Sequence, residues 1–324
     1  MDIPLEAVAA KNALEDPLLE AGLITGVDFG VRNEEQPDPE DLALRIFVLD
    51  VTNVPFEVRA AIQFFPFPVV ILQRVFMITQ LPDTLRHRPT TGGVSVASSR
   101  FFATGTIHAG TLGAIVSDVL DPSIKYGLSN HHVLCVDLNR QVGDEIVQPE
   151  PSVLGVLPGD RVGTLSDWSF PETTLVGNVD AAVCRLDQAS LQHIVDIGAV
   201  SGTVLATPGM QVRKRGRTTG LTFGWISGTD GSYSLDFPNL PAVSTSTGRT
   251  TTARILKNQI QIHADFPLST VFGEHGDSGS VVVDAANHVV GLYWGSGTDS
   301  LGNPLTFGLA STATGIEAAL GIIF

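Results

Sequence analysis

Cysteine is nearly absent: Cys135 and Cys184 are the only two in 324 residues. No disulfide framework can brace this fold, and without CxxC or Cys/His ligand spacing neither a zinc site nor any other metal is expected. Two buried thiols are the expectation, since free cysteine packs as a small hydrophobe. Positive charge is also in short supply. Lys and Arg number 19 against 34 Asp and Glu, a formal net charge of -15, which argues against nucleic acid as a partner because phosphate-backbone binders need clustered cations to displace counterions. Long apolar runs are missing too. The most apolar segment, 64-FFPFPVVILQRVFMI-78, is broken by Pro66, Pro68, Gln73 and Arg74. Its clean portion falls short of the roughly 20 residues a spanning helix needs, so no membrane anchor is expected. The first residues, MDIPLEAVAAKNALEDPLLEAG, have neither a basic n-region nor an uninterrupted apolar core. They do not resemble a signal peptide, and a cytoplasmic location is the expectation.

What is plentiful is glycine (33) and proline (19), in a chain that is 43% hydrophobic and only 16% charged. Such a composition favours short strands and many turns over long charged helices. The acidic run 34-EEQPDPED-41 reads as a solvated loop. Before it, residues 5–20 have helical apolar spacing, with Pro17 marking a break or a new start. Around it, 22–32 and 43–51 read as paired strands, 54–65 as a short helix and 69–78 as a third strand. These elements make residues 1–90 a small α/β domain, and 82-PDTLRHRPTTGG-93 reads as a connector. From 103 onward the pattern becomes short β runs punctuated by glycine: 103–118, 126–134, 161–168 and 179–186. A helix-like 187-DQASLQHIV-195 separates these from a second series at 211–226, 257–264, 280–284 and 287–294. Closely spaced short strands with turn signals predict a mainly β fold of sandwiches or barrels.

Within the second series, 273-GEHGDSGSVVV-283 holds Ser278 between two glycines, after an aspartate and ahead of a valine run. Small flanking residues allow a tight turn and close approach of a ligand, and the following strand gives the hydroxyl a rigid base. A serine hydroxyl is a weak nucleophile and needs a histidine base that a carboxylate orients. Candidates lie at strand ends in 128-LSNHHVL-134 and 178-NVDAAVCRL-186. The resulting order is His, Asp, Ser, whereas α/β-hydrolases run Ser, Asp/Glu, His and subtilisins Asp, His, Ser. The hydrolase nucleophile elbow fails independently, because Ser280 stands where it requires glycine.

The motifs 128-LSNHHVL-134, 180-DAAV-183 and 276-GDSGS-280 resemble those of the chymotrypsin/trypsin family of serine proteases. The segment 212-VRKRGRTTGLTFGWI-226 and the closing 313-ATGIEAALGIIF-324 are similar to its small bacterial, actinomycete-type branch. The likeness covers roughly residues 103–324. It implies a chymotrypsin-like double β-barrel, with residues 91–200 forming a first barrel that carries His132 and Asp180, and 201–324 a second that carries Ser278. The implied activity is a serine endopeptidase acting on a protein or peptide substrate without a cofactor. Ser278 would attack the scissile carbonyl, His132 transfer the proton, Asp180 orient the imidazole, and the amides of Gly276 and Ser278 face the oxyanion. His131 stands where related sequences have Asn, and is the alternative base. The secreted relatives' disulfides have no matching cysteines here, as a reducing compartment would require. By family spacing, Phe272 lies at the base of the pocket for the residue ahead of the cut, so a hydrophobic or small residue is expected there. His275 lines the rim, and Tyr293, Trp294, Gly295 and Ser296 form the edge that pairs with the substrate backbone. Lys214, two residues before Gly216, is expected to form a buried ion pair with Asp277.

Two other functions compete with the endopeptidase: a catalytically silent binding module that keeps the fold, and an esterase acting on small acyl substrates. Residues 1–90 lie outside the resemblance and are expected to serve regulation or substrate recruitment, with a regulatory partner.

Overall fold

The structure, a computed structural model, describes residues 3–33, 38, 40–73, 83–100, 109–153, 155–237, 240–266, 268–296 and 307–324. The strand-like stretches expected at 74–78 and 103–108 lie outside the described residues. The chain divides into two compact units, Met1–Thr79 and Gln80–Phe324.

The first unit contains helix α1 (Leu5–Glu20), strands β1 (Gly26–Val31) and β2 (Leu42–Val48), helix α2 (Phe56–Ile62) and strand β3 (Val69–Gln73). β1 runs antiparallel to β2, while β3 runs parallel to it. A parallel pair needs a crossover, and α2 supplies it. Leu14 and Leu18 of α1, Val58 of α2 and Leu44, Ile46 and Val48 of β2 form the core. Pro17 neither breaks nor restarts α1: the helix runs through it. Proline lacks one N–H and sits here in the last turn, where the backbone carbonyl of Pro17 still accepts from Ala21.

The second unit is a double β-barrel. Its first barrel uses β4 (Val94–Ser98), β5 (Ala109–Leu112), β6 (Ala114–Asp118), β7 (Lys125–Ser129), β8 (Glu145–Val147), β9 (Arg161–Ser169) and β10 (Ala181–Leu186), with the short helix α3 (His131–Leu134) after β7. The hydrogen-bonded order is β6-β7-β10-β9-β8-β4-β5. Since β5 and β6 are two halves of one chain segment, interrupted only at Gly113, the ring closes on itself with six strand positions. The second barrel uses β11 (Gln211–Gly216), β12 (Gly220–Asp236), β13 (Ala253–Ala264), β14 (Val281–Asp284), β15 (Val289–Gly295) and β16 (Phe307–Thr312). Its order is β13-β12-β11-β14-β15-β16, closed by pairing of β13 with β16. Closure removes the exposed edges that short antiparallel strands otherwise leave.

Each barrel has its own apolar filling, with Val94, Leu112, Ile146 and Leu165 in the first and Val212, Ile226, Ile260 and Val282 in the second. A third cluster, including Val116, Leu128 and Val183 from one barrel and Val281, Val283 and Leu292 from the other, joins them. Helix α4 (Ala313–Leu320) adds Ile316 and Leu320 to this joint. The chain then returns to the first barrel, where Ile322 pairs with Asp118.

The helix expected at 187–195 is instead a strand, Ser190–Ile194. Its backbone finds partners on both sides, parallel to Thr90–Gly92 and antiparallel to Gly198–Ala199. Of its five residues only Ile194 is buried, so the helical spacing of its apolar residues has no packed face to stabilise it.

Gly113 shows how closely the barrels meet. A Cβ there would lie 2.0 Å from the Gly279 carbonyl and 2.9 Å from Val281 Cγ2. Relief would require moving backbone. Gly113→Ala is therefore expected to cost about 1–3 kcal/mol or more, as overpacked sites do, seen as a lower urea midpoint. An unchanged midpoint would show that the joint yields more readily than this geometry implies.

Candidate active site

The register of the first barrel brings His132 and Asp180 together. Ser129 at the end of β7 pairs with Ala182 near the start of β10. Antiparallel pairing therefore puts the three residues after Ser129 beside the residue that precedes β10. His132 Nδ1 lies 2.6 Å from Asp180 Oδ2, and the His132 backbone N–H donates to Oδ1 at 3.3 Å. Asp180 is buried, whereas the His132 side chain is 37% exposed. Burial pulls the imidazole pKa down, but the charge and hydrogen bond of Asp180 outweigh it and raise the pKa above its ordinary value. Burial likewise works against the Asp180 carboxylate, and the His132 side chain reverses it, so Asp180 stays ionised. The Asp180 backbone is pinned as well: its N–H donates to Ser311 Oγ, and its carbonyl accepts from Asn130 Nδ2.

Ser278 belongs to the tight turn ahead of β14. Its carbonyl accepts from Thr111 N–H of β5 at 2.8 Å. The neighbouring Gly110 lies against both Ser278 and Val133: a Cβ on it would stand 2.8 Å from the Ser278 carbonyl and 2.5 Å from Val133 Cγ2. The Ser278 turn thus abuts the short helix α3 that carries His132. Ser278 Oγ donates to the Trp294 carbonyl at 3.2 Å, and no hydrogen bond joins it to His132 among the described residues.

Around Ser278 the backbone donors divide sharply. Asp277 N–H donates to the Glu274 carbonyl, Gly279 N–H to Tyr293 and Ser280 N–H to Asp277. Among the described residues, the N–H groups of Gly276 and Ser278 have no acceptor. Gly276 has φ +100°, a left-handed conformation that side chains disfavour. A Cβ on it would meet Thr218 Oγ1 at 2.5 Å and Arg217 Nη1 at 2.7 Å. That arginine is paired with the buried Glu150.

Lys214 of β11 and Asp277 are both fully buried, with Nζ 3.1 Å from Oδ2. Lys214 also donates to Thr219 Oγ1. Thr219 Oγ1 and the N–H groups of Glu274, Thr218 and Thr219 donate to the same carboxylate. Burial opposes ionisation of Asp277, and the Lys214 ammonium with these donors overcomes it, leaving its pKa below the ordinary range. A lowered carboxylate pKa stabilises the fold above the unfolded value, near 3.9, and the effect is lost only as pH falls through the folded value. Burial acts the other way on Lys214 and lowers its pKa, against the attraction of Asp277.

His131 is turned away from Ser278. Its Nε2 lies 2.7 Å from Glu172 Oε1 and its ring stacks on Phe170 at 4.8 Å. Glu172 also pairs with Arg140, which lies over Trp168. This cluster escaped the sequence reading, since no motif links residues so far apart. His275 and Ser296 are exposed and Gly295 is half-buried. Phe272, Tyr293 and the Trp294 side chain are buried, with Trp294 Nε1 bonded to Gln259 Oε1 at 2.8 Å. Only the backbone of Trp294 faces Ser278. Phe272 and Tyr293 lie in the second barrel's apolar core. Both thiols are buried, and burial pushes Cys184 up to about 12, so neither cysteine is a reactive thiolate near neutral pH. Among the described residues, no three His, Cys, Asp or Glu side chains group to hold a metal, and no helix is long and apolar enough to cross a membrane.

No family model matches the chain, and no curated protein matches it. Solved chymotrypsin-like serine proteases of actinomycetes are similar to it in fold. The Nocardiopsis protease NAPase is 15% identical, with a TM-score of 0.46, over 72% of this chain and 96% of its own. Thermobifida fusca protease A is 17% identical, with a TM-score of 0.44 and the same coverage of both chains. Cellulomonas bogoriensis chymotrypsin is 18% identical, with a TM-score of 0.44 and again the same coverage.

Removing one partner of a buried ion pair strands the other charge and costs about 3–5 kcal/mol. Lys214→Met is expected to lose stability in that range by urea unfolding. If Lys214→Met is as stable as the parent chain, the pair does not fix the turn.

Proposed function

We propose that this chain is a serine endopeptidase that cleaves peptide bonds through an acyl-enzyme. The observation that carries the reading is a conjunction: a serine hydroxyl flanked by two backbone N–H groups that have no acceptor among the described residues, on a turn packed close to the helix of a histidine that a buried carboxylate holds. Unspent N–H donors beside a nucleophile are what a developing oxyanion requires, each worth about 3 kcal/mol in the transition state.

In this reading Ser278 Oγ turns from the Trp294 carbonyl toward His132 Nε2. The imidazole takes the hydroxyl proton as Oγ bonds the scissile carbonyl carbon. Asp180 holds Nδ1 protonated, so that Nε2 is the free base, and stabilises the imidazolium that forms. The carbonyl oxygen becomes an oxyanion facing the Gly276 and Ser278 amides. Collapse of the tetrahedral intermediate expels the amine, protonated by His132, and leaves the acyl group on Ser278. Water, deprotonated by the same imidazole, releases the acid. The half-buried Gly295 and exposed Ser296 offer backbone groups against which an extended peptide can lie as an added strand. A peptide substrate fits this edge better than a small ester, which would leave it unused. A regulatory partner of residues 1–90 belongs to the same proposal.

Fluorophosphonate labelling of the full chain tests the nucleophile. Labelling is expected to map to Ser278 and to vanish in Ser278→Ala and His132→Ala, while His131→Ala retains most of it. Labelling that survives in His132→Ala and is lost in a folded His131→Ala would reverse the assignment of the base. Asp180→Asn is expected to lower kcat by about 10⁴-fold, the scale seen when a triad loses its orienting carboxylate.

The base must be neutral to act. Because the His132 pKa is raised, kcat/KM on a peptide is expected to rise with pH through an apparent pKa above 6.5. An acid limb at or below 6.5 would mean that Asp180 does not act on His132 as the geometry implies.

A further inference from the structure

The nucleophile reading fixes where a scissile carbonyl must sit: its carbon against Ser278 Oγ and its oxygen between the Gly276 and Ser278 amides. A peptide extended along Gly295–Ser296 then carries the residue ahead of the cut beside the wedge between segment 272–276 and β15. Successive side chains of an extended chain point to opposite faces, so a side chain that enters the wedge leaves its neighbours pointing away. What fills the wedge therefore decides what can be cleaved.

Two glycines border the wedge, and neither leaves it open. A Cβ on Gly273 would lie 2.6 Å from Tyr293 Cζ and 2.8 Å from its hydroxyl. A Cβ on Gly308 would lie 2.7 Å from Tyr293 Cε2 and 2.9 Å from Phe272 Cδ1. The space that glycine frees on both walls is thus taken by the chain's own aromatic rings. The two rings pack edge to face with centroids 6.0 Å apart, and each residue is 1% exposed. Lys214 Nζ stands 5.7 Å from each centroid, and the same ammonium is held by Asp277. The filling is therefore anchored from beneath. It also carries no free charge, since this cation and its carboxylate are committed to each other.

We propose that Tyr293 and Phe272 occupy the subsite for the residue ahead of the cut, so that only side chains of glycine, alanine or serine size are accepted there. The inference rests on the serine-nucleophile reading and narrows it from hydrophobic or small residues to small ones alone. A single methylene changes discrimination about 10–200-fold in an apolar site, and a filled, close-packed site resists enlargement.

The test uses the full chain and peptides that differ only in the residue ahead of the cut. Alanine is expected to exceed phenylalanine, leucine, lysine and glutamate by at least about 100-fold in kcat/KM. Any of these four within tenfold of alanine would overturn the proposal. Tyr293→Ala is expected to raise the phenylalanine-to-alanine ratio at least about tenfold, and an unchanged ratio in the folded variant counts against the assignment. Because Tyr293 lies in the barrel core, the same ratio is also read without mutation, from inactivation of the parent chain by peptidyl phosphonates carrying alanine or phenylalanine at that position. Alanine is expected to react faster by a similar factor, and equal rates would overturn the proposal. If a fluorophosphonate leaves Ser278 unlabelled, the nucleophile reading itself has failed. If Ser278 is labelled and large side chains react as fast as alanine, only this inference has failed.

Discussion

The buried Lys214–Asp277 pair is the constraint on which the rest of the site depends. An aspartate with no solvent exposure is costly unless its charge is met and its oxygens are hydrogen-bonded. Here Lys214, Thr219 Oγ1 and three backbone N–H groups meet both oxygens. One of those amides belongs to Glu274, so the 274–277 turn is wound around its own carboxylate. The winding decides which donors are spent. Asp277, Gly279 and Ser280 give their N–H groups to carbonyls, and Gly276 and Ser278 give theirs to no acceptor among the described residues. Lys214 sits in β11, between β12 and β14, so the turn takes its position from the interior of the second barrel. The same ammonium lies against Phe272 and Tyr293, which couples the turn to the second barrel's apolar core.

The other half of the site is referenced to that barrel through Gln259. Its Oε1 accepts from Trp294 Nε1 and Ser311 Oγ, and its Nε2 donates to the carbonyls of Asn178 and Lys257. Ser311 Oγ in turn receives the Asp180 N–H. A carboxylate of the first barrel is thereby tied, through one side-chain amide, to the strand whose Trp294 carbonyl holds Ser278 Oγ. Buried polar networks of this kind rigidify when every member is satisfied, and Gln259 has all of its amide groups engaged. Apolar packing between the barrels brings the two halves together without fixing their distance as directly as these hydrogen bonds do.

How much of this was legible in the sequence depended on whether a group acts through its neighbours in the chain. The serine turn, the histidine after a strand and the aspartate before one are local patterns, and counting back from Gly216 reaches Lys214 because β11 leads directly into that turn. Strand positions were legible from alternation and glycine spacing, although Ser190–Ile194 was misread because its strand character comes from the partner Thr90–Gly92, a hundred residues earlier. His131 with Glu172 and Arg140, and Gln259 with Trp294 and Ser311, were invisible for the same reason: each joins residues that only the closed barrels make adjacent. Pro17 signals a break or a new start by its missing N–H, and its place in the last helical turn overrides that signal. For Tyr293, the motif placed its backbone beside the substrate path, but the direction of its side chain follows from strand register, which the motif does not contain.

The segment after residue 82 extends the same logic to the outside of the barrels. Asp83 is buried, its N–H donates to the Arg217 carbonyl at 2.7 Å, and its carboxylate receives Arg215, His87 and the Leu85 N–H. Burial opposes this charge, yet the donors hold its pKa at about 2. Arg217 N–H then donates to Thr111 Oγ1 at 3.0 Å, and that hydroxyl donates to the Gly276 carbonyl at 3.1 Å. The single proton of the Thr111 hydroxyl goes to Gly276 while a lone pair accepts the Arg217 N–H, so one side chain fills both roles. The orientation of the Gly276 peptide is thus set from two directions: by Asp277 through the interior and by Thr111 from the facing barrel. The Gly276 N–H belongs to the preceding peptide plane, whose His275 carbonyl accepts from Thr218 Oγ1 at 2.9 Å, so both peptide planes that meet at Gly276 are held by hydrogen bonds from residues far away in the chain.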